Sequence, residues 1–299
     1  MRFKKMKICS FLPSATEILF ALGLEDSVVG VTVECNYPPA ARQKPVVVHT
    51  KLPPGLTAAE IDPAVSGFVA RGESLYRIDA DTLRSIEPDL IITQDLCHVC
   101  AASSDDLAAI LQTHLPRCRV MSLNPHNLAD VWNDILLVGE ATGRRRQAEA
   151  LVANIQSRLG RVAQESVRQP RPRVLFLEWL DPPYAAGHWV PEMVAMAVGE
   201  DVLGQVAKPG FRVSWEQVLQ TRAEVVIVSP CGYDESQAQA ELEQFRFPTG
   251  WENLPAVRNG HVFPVDAQSF FARPGPRLAE GTELLAAAFS SLLAAEPKR

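Results

Sequence analysis

The sequence is short of features that mark the commoner functional classes. No G-x-S-x-G, Walker loop or H-E-x-x-H occurs in its 299 residues, which leaves out a nucleophile elbow, a phosphate cradle and a zinc-protease helix. The six histidines are scattered without ligand spacing. The carboxylate pairs Asp105–Asp106 and Glu241/Glu243 fall in expected helices and read as solvated faces. No nucleophile stands beside a base, so the chain is not read as an enzyme. No apolar stretch is long enough to cross a bilayer. Net charge is −6, and the only basic clusters are Arg2, Lys4, Lys5 and Lys7 at the start and Arg144–Arg146 further on. A nucleic-acid partner needs a concentrated basic surface, so none is expected. Six cysteines do not make a disulfide framework in a chain of this length. Low-complexity segments and internal sequence repeats are lacking as well.

What is present is an ordinary globular composition, 47% hydrophobic and 21% charged, at a length that fits about two domains. Met1–Lys7 is basic and Ile8–Leu24 largely apolar, the outline of a signal peptide, but Pro13, Ser14 and Glu17 interrupt it and no small-residue cleavage site follows. Ser14 and Glu17 have capping-box spacing, so Lys7–Phe11 reads as a first strand and Ser14–Gly23 as a first helix. The sequence as it stands is expected to be cytoplasmic; an export signal absent from it would place the protein in the periplasm or outside the cell.

The longest periodic stretch runs from Asn127 to Glu165, with Leu128, Val131, Trp132, Ile135 and Val138, then Ala148, Leu151, Val152, Ile155, Leu159 and Val162 at helical spacing. Asn127 is its expected N-cap, and Gly143 is placed to bend it. On either side, short β-type runs alternate with amphipathic helices. The expected fold is therefore α/β, two three-layer α/β lobes joined by a single long interdomain helix. The expected boundaries are 1–126 for the first lobe, 127–168 for the helix and 169–299 for the second lobe. A ligand cleft is expected between the lobes.

In parallel α/β sheets the loops leaving the C-terminal strand ends carry function. Here those loops hold aromatics and thiols where loops usually hold Gly, Asn, Asp and Ser. The inventory includes Cys35, Tyr37, Cys97, His98, Cys100, Trp179, Tyr184, His188, Trp189, Cys231, Tyr233, Phe270 and Phe271. Such rings suit a flat, largely apolar ligand. Glu178 ends a strand as a ligand contact or a structural acceptor, and Arg273 is a ligand contact or a salt-bridge partner. Cys97-His-Val-Cys100 has three readings. It lines a pocket or touches a ligand's metal, it supplies two ligands of a metal site, or it is a redox pair at a helix N-terminus.

The order of short motifs resembles a known family. ICSFLPSATEILFALG at Ile8–Gly23, VVGVT at Val28–Thr32, YPP at Tyr37–Pro39, EPDLII at Glu87–Ile92 and WEQVL at Trp215–Leu219 are similar to class III periplasmic binding proteins, most closely the cobalamin-binding branch. The resemblance covers nearly the whole chain. It implies two α/β lobes around a cobalamin-like or other metal-chelate ligand, delivered to the membrane subunits of an ABC importer by a monomer that requires no cofactor. It further implies docking through one acid on each lobe, Asp81 and Glu216 by local match. The ligand set that follows is Cys35, Tyr37, Cys97, His98, Cys100, Glu178, Trp179, Tyr184, His188, Trp189, Cys231, Phe270, Phe271 and Arg273. Two departures stand out. No export signal or lipoprotein cysteine is visible, since Cys9 lies inside the first strand, and the C-x-x-C is foreign to the cobalamin branch. The alternative is a metal-binding or thiol-redox protein on the same fold, using Cys35, Cys97, Cys100 and Cys231, with Cys97 and Cys100 as metal ligands.

Overall fold

The computed structural model describes residues 5–94, 104–165 and 171–295. Two compact units share the chain: 1–125 with 132–151, and 126–131 with 152–299. The first contains β1 (Ile8–Ser10), α1 (Pro13–Ala21), β2 (Val28–Thr32), a 3-10 turn at Pro39–Gln43, β3 (Val46–Thr50), α2 (Ala58–Ala70), β4 (Tyr76–Ile78), α3 (Ala80–Ile86), β5 (Leu90–Thr93), α4 (Ser104–His114) and β6 (Arg119–Ser122). Its strand order is β4-β3-β2-β1-β5-β6, parallel throughout except for the antiparallel edge strand β4. Every residue of β5 is buried. A strand buried on both faces needs cover on both sides, the three-layer arrangement.

The helix α1 starts one residue earlier than expected. Pro13 occupies its first turn after Leu12, which caps without a side-chain bond, while Ser14 and Glu17 are buried inside the helix. A proline at N1 has its φ preset for the helix and no N–H to satisfy, so it displaces the expected capping box. The excursion before β4 is likewise more regular than its composition implies. Thr57 and Glu60 form a reciprocal capping box that launches α2, and Pro63 sits within that helix.

The long periodic run is two helices, α5 (Leu128–Ala141) and α6 (Arg145–Glu165). Asn127 caps α5 as expected, its Oδ1 accepting the Asp130 N–H at 2.9 Å. Between them Gly143 has φ +71°, a left-handed conformation that glycine enters without steric cost. The single strut read from periodicity is thus broken at its one glycine of that type. Periodicity continued across the break because both helices bury an apolar stripe, and neither stripe records the turn between them.

The second unit contains β7 (Arg173–Leu180), β8 (Pro183–Ala185), α7 (Val190–Met196), β9 (Glu200–Asp201), β10 (Phe211–Arg212), α8 (Trp215–Gln220), β11 (Val225–Val228), α9 (Glu235–Gln244), a 3-10 turn at Trp251–Asn253, α10 (Pro255–Arg258), β12 (Val262–Pro264), α11 (Ala267–Phe270) and α12 (Leu278–Ala295). The sheet runs β10-β8-β7-β11-β12, with β9 also on β7. The pairs β7–β11 and β11–β12 are parallel; β8 turns back antiparallel on β7. From sequence, Leu180–His188 with Pro182 and Pro183 reads as a loop; the hairpin stands there instead, because β7 gives Pro183–Ala185 an antiparallel partner. Leu175, Leu177, Val226, Val228, Trp251 and Leu254 are among the residues of one buried core. Arg158 of α6 forks onto Glu283 of α12 through two bonds of 2.8 and 2.6 Å, tying those helices together. Among the described residues, no helix is long and apolar enough to cross a membrane.

Candidate functional site

In the first unit Cys35 and Tyr37 are the expected ligand groups that fall among the described residues. Cys35, after β2, is buried, its Sγ 3.1 Å from Thr16 Oγ1, and so serves as a packed thiol inside the unit. Tyr37 is 43% exposed and turns its ring to solvent. Three residues earlier, Glu34 accepts the Tyr76 hydroxyl at 2.7 Å. Cys97, His98 and Cys100 lie outside the described residues, and with them the three readings of the C-x-x-C. Of the other thiols, burial pushes Cys9 up to about 12 and Cys118 to about 11, so neither is a thiolate near neutral pH. Asp81 is exposed in the first turn of α3 and pairs with Arg84 one turn on.

The second unit gathers most of the rest around the β7–β8 hairpin. Trp179 is half-buried, its indole N–H donating to the Asp181 carbonyl at 3.0 Å and its ring edge-on to Tyr233 at 5.7 Å. Tyr184 accepts Arg212 Nε at 2.8 Å, and the same guanidinium lies over its ring. Phe270 is half-buried beneath the Arg277 guanidinium, and Arg273, three residues on, is half-buried too. Cys231 is exposed after β11, its backbone N–H donating to the Glu178 carbonyl at 3.2 Å. Glu216 is exposed in the first turn of α8, accepting Gln220 one turn on.

Trp189 and Phe271 belong to the interior rather than to a ligand wall. Trp189 is 5% exposed and its Nε1 donates to the Phe271 carbonyl at 2.8 Å; Phe271 is 2% exposed and packs edge-on to Phe176. The stiffness of Pro182, Pro183 and Gly187 pointed to an exposed loop. The hairpin instead folds Trp189 inward at the start of α7, where an indole N–H finds a carbonyl and needs no solvent.

The electrostatics of this unit centre on two acids and a histidine. Glu178 Oε1 accepts the Gly187 N–H at 3.3 Å, and a Cβ at Gly210 would overlap its Oε2. Enclosure by these backbone segments, with Asp201 nearby adding like charge, pushes the carboxyl up to about 7. Asp201 accepts Leu203 and Gly204 N–H groups at 3.2 and 2.8 Å, but its Oδ2 is buried with no partner among the described residues, and burial raises the carboxyl to about 6. Gly187 has no room for a side chain because the backbone of Lys208–Gly210 runs directly against it. His188 sits at φ +50°, stacked on Trp189 at 5.3 Å and on His126 at 6.3 Å, with its Nε2 buried and without a hydrogen-bond partner among the described residues. Burial and the neighbouring His126 ring lower its pKa, keeping the imidazole neutral near pH 7.

His126 and Asp201 were not singled out from sequence. His126 sits one residue before a helix cap, where it reads as a solvated turn, and Asp201 occupies a two-residue strand with no periodic signature. Among the described residues, no three His, Cys, Asp or Glu side chains come together as a metal site.

The two-sheet α/β fold agrees with comparison to known proteins. The sequence profile of the periplasmic binding protein family matches residues 8–269. The chain belongs to that family. It is similar to an uncharacterized ABC transporter substrate-binding lipoprotein of Bacillus subtilis, 26% identical over 94% of this chain and 78% of the relative. It is also similar to the vitamin B12-binding protein of Vibrio vulnificus, 24% identical over 96% of this chain and 90% of the relative. Two solved structures share the fold. The periplasmic vitamin B12 binding protein of Vibrio cholerae superposes with a TM-score of 0.70 at 20% identity, covering 97% of this chain and 98% of that one. A periplasmic heme binding protein of Pseudomonas aeruginosa gives 0.72 at 22% identity, covering 98% and 95%. The family and these relatives are binding proteins, in keeping with a chain that carries no catalytic motif.

Proposed function

We propose that this solute-binding protein takes a corrinoid and passes it to the membrane subunits of an ABC importer. The observation that carries the reading is the likeness to vitamin B12-binding proteins along 96% of the chain, so that the full run of strand-end segments has a counterpart in a corrinoid binder. Within the second unit the half-buried Trp179, Tyr184 and Phe270 supply rings of the kind a planar macrocycle rests on, and within the first unit the exposed Tyr37 is a ring of the same kind. Glu178, Arg273 and Cys231 supply polar groups for its side chains. The protein works where its lipoprotein and periplasmic relatives work, on the outer side of the membrane that carries the importer. Asp81 and Glu216, each exposed in a first helical turn, meet basic residues of the membrane subunits. Exposed acid–base pairs are weak individually, so these contacts orient the complex more than they tighten it.

One observation favours haem as a second reading. Neutral His188, with its unpartnered Nε2, is an imidazole of the kind that ligates iron once the His126 ring moves aside. Titration of the reduced protein with cyanocobalamin and, separately, with hemin tests both readings. Saturable quenching of tryptophan fluorescence by cyanocobalamin at micromolar or tighter affinity is the expected result. Quenching by hemin alone, with a Soret shift lost in His188→Ala, replaces corrinoid with haem. Neither response rejects tetrapyrrole-type ligands altogether.

A further inference from the structure

The excursion between β3 and β4 has a construction that the ligand reading leaves unused. It departs after Thr50, at the C-terminal end of a parallel strand, and returns at Tyr76, the residue opposite Thr50 in the antiparallel β3–β4 pair. The Lys51 N–H donates to the Leu75 carbonyl at 2.7 Å and closes its foot. That foot stands beside the exit of β2, because the Tyr76 hydroxyl donates to Glu34, three residues before the exposed Tyr37. The excursion therefore rises from the strand-end face that carries Tyr37.

Its body is α2, a helix that carries its own supports. Thr57 and Glu60 cap its start. At its end the Gly72 and Glu73 N–H groups donate to the Val69 and Phe68 carbonyls, each at 3.0 Å, and the Arg71 guanidinium lies over the Phe68 ring at 5.0 Å. What α2 lacks is burial. Ile61, Ala64, Val65 and Phe68 form an apolar stripe at helical spacing, all four only half-buried, and Val69 beside them is 52% exposed. No residue of 59–70 is buried, whereas α1 buries six of its nine. A helix of 13 residues draws most of its stability from packing such a stripe, so α2 keeps apolar surface still to be covered. Each side of the helix also holds a glycine in left-handed backbone, Gly55 at φ +80° and Gly72 at φ +66°, with open space where a Cβ would stand. Those glycines serve as turning points and not as places of close approach.

We propose that α2 is a hinged flap that closes its apolar stripe over the ligand held at the strand ends of the first unit. Ile61, Val65 and Phe68 are its contacts. The occupant is the apolar face of the corrinoid proposed above, and the inference rests on that reading. Two features favour this occupant. The flap shares its foot with the Tyr37 segment, and four apolar side chains in a row suit a flat, largely apolar ligand. Closure turns half-buried side chains into buried ones, so the ligand supplies the packing that α2 lacks.

Hydrogen exchange on the full chain, with and without saturating cyanocobalamin, tests the flap. In the free protein the α2 amides are expected to exchange together, about a hundredfold faster than those of α1. Cyanocobalamin is expected to slow them about tenfold or more. Phe68→Ala keeps a good helix former and removes a ring that the free protein leaves half-buried. It is expected to weaken cyanocobalamin binding about tenfold, chiefly through faster dissociation, with the denaturation midpoint of the free protein near wild type. A wild-type chain that binds no cyanocobalamin rejects the corrinoid reading and the flap together. Binding that leaves both α2 exchange and the Phe68→Ala affinity unchanged overturns the flap alone, as do α2 amides that exchange as slowly as those of α1 in the free protein. A dimer in sedimentation that Phe68→Ala dissolves, with ligand affinity unchanged, gives the stripe to a second copy and overturns it too.

Discussion

Both units are built on a sheet with parallel central strands, yet they treat their strand ends differently. In the first unit Tyr37 stands 43% exposed beyond β2. In the second, the aromatic side chains are tied into their own unit: Trp189 to the Phe271 carbonyl, Trp179 to the Asp181 carbonyl, Tyr184 to Arg212. A ring at a strand end therefore has two different meanings. It is interior packing where burial is complete, as at Trp189, and partly accessible surface where it is not, as at Trp179, Tyr184 and Tyr37.

Three substitutions press on that contrast. The largest effect is expected for Trp189→Ala, which empties a buried indole site and removes its bond to the Phe271 carbonyl. It should destabilise the fold by about 3–5 kcal/mol, read as a fall in the denaturation midpoint. A loss of ligand affinity at unchanged stability would return Trp189 to the ligand wall and erase the contrast.

Next comes Glu178→Gln. The folded carboxyl, at about 7, lies above its ordinary value of 4.5, so it favours the fold below that ordinary value, and the contribution is lost as pH rises through 7. Wild-type stability should decline between about pH 5 and pH 8 by up to roughly 3 kcal/mol on this account. Asp201, raised in the same direction to about 6, adds to the decline. Gln keeps an acceptor for Gly187 and removes the titration, so denaturant unfolding across that range should show a flatter profile and a more stable protein at the alkaline end. An unchanged pH profile would mean that the Gly187–Gly210 enclosure does not hold the acid.

The smallest stability effect is expected for Tyr37→Ala, within about 0.5 kcal/mol, since an exposed ring loses little on truncation. Its corrinoid affinity should nevertheless fall several-fold in the fluorescence titration. A large drop in midpoint would show that the first unit, too, commits its strand-end ring to the fold.

The alternation of apolar runs and amphipathic helices made the layered α/β architecture readable from sequence, because period and burial have the same physical cause. Val225–Val228 and Leu90–Thr93, continuous apolar runs, are central strands buried throughout. What escaped were features decided by tertiary context. Pro183–Ala185 forms a strand because β7 offers it an antiparallel partner, which composition does not display. Ser14 and Glu17 carried the letters of a capping box but lie inside a helix that proline had already begun. At the site, identity alone does not tell an inward Trp189 from a half-exposed Trp179. His126 gained interest only when folding brought it against His188.

The break at Gly143 bears on how the protein is put together as a chain. Residues pass from one unit to the other after Pro125, again after Val131 and again after Leu151, so neither unit is a continuous stretch. A single cut cannot excise either one whole: cleavage after Pro125 separates the first unit from 132–151, and cleavage at Gly143 splits that same segment. Genetic dissection by truncation would therefore yield two incomplete pieces. Co-expression of 1–143 with 144–299, each half carrying a portion of its partner's core, is the arrangement in which fragments would have to reassemble to fold at all.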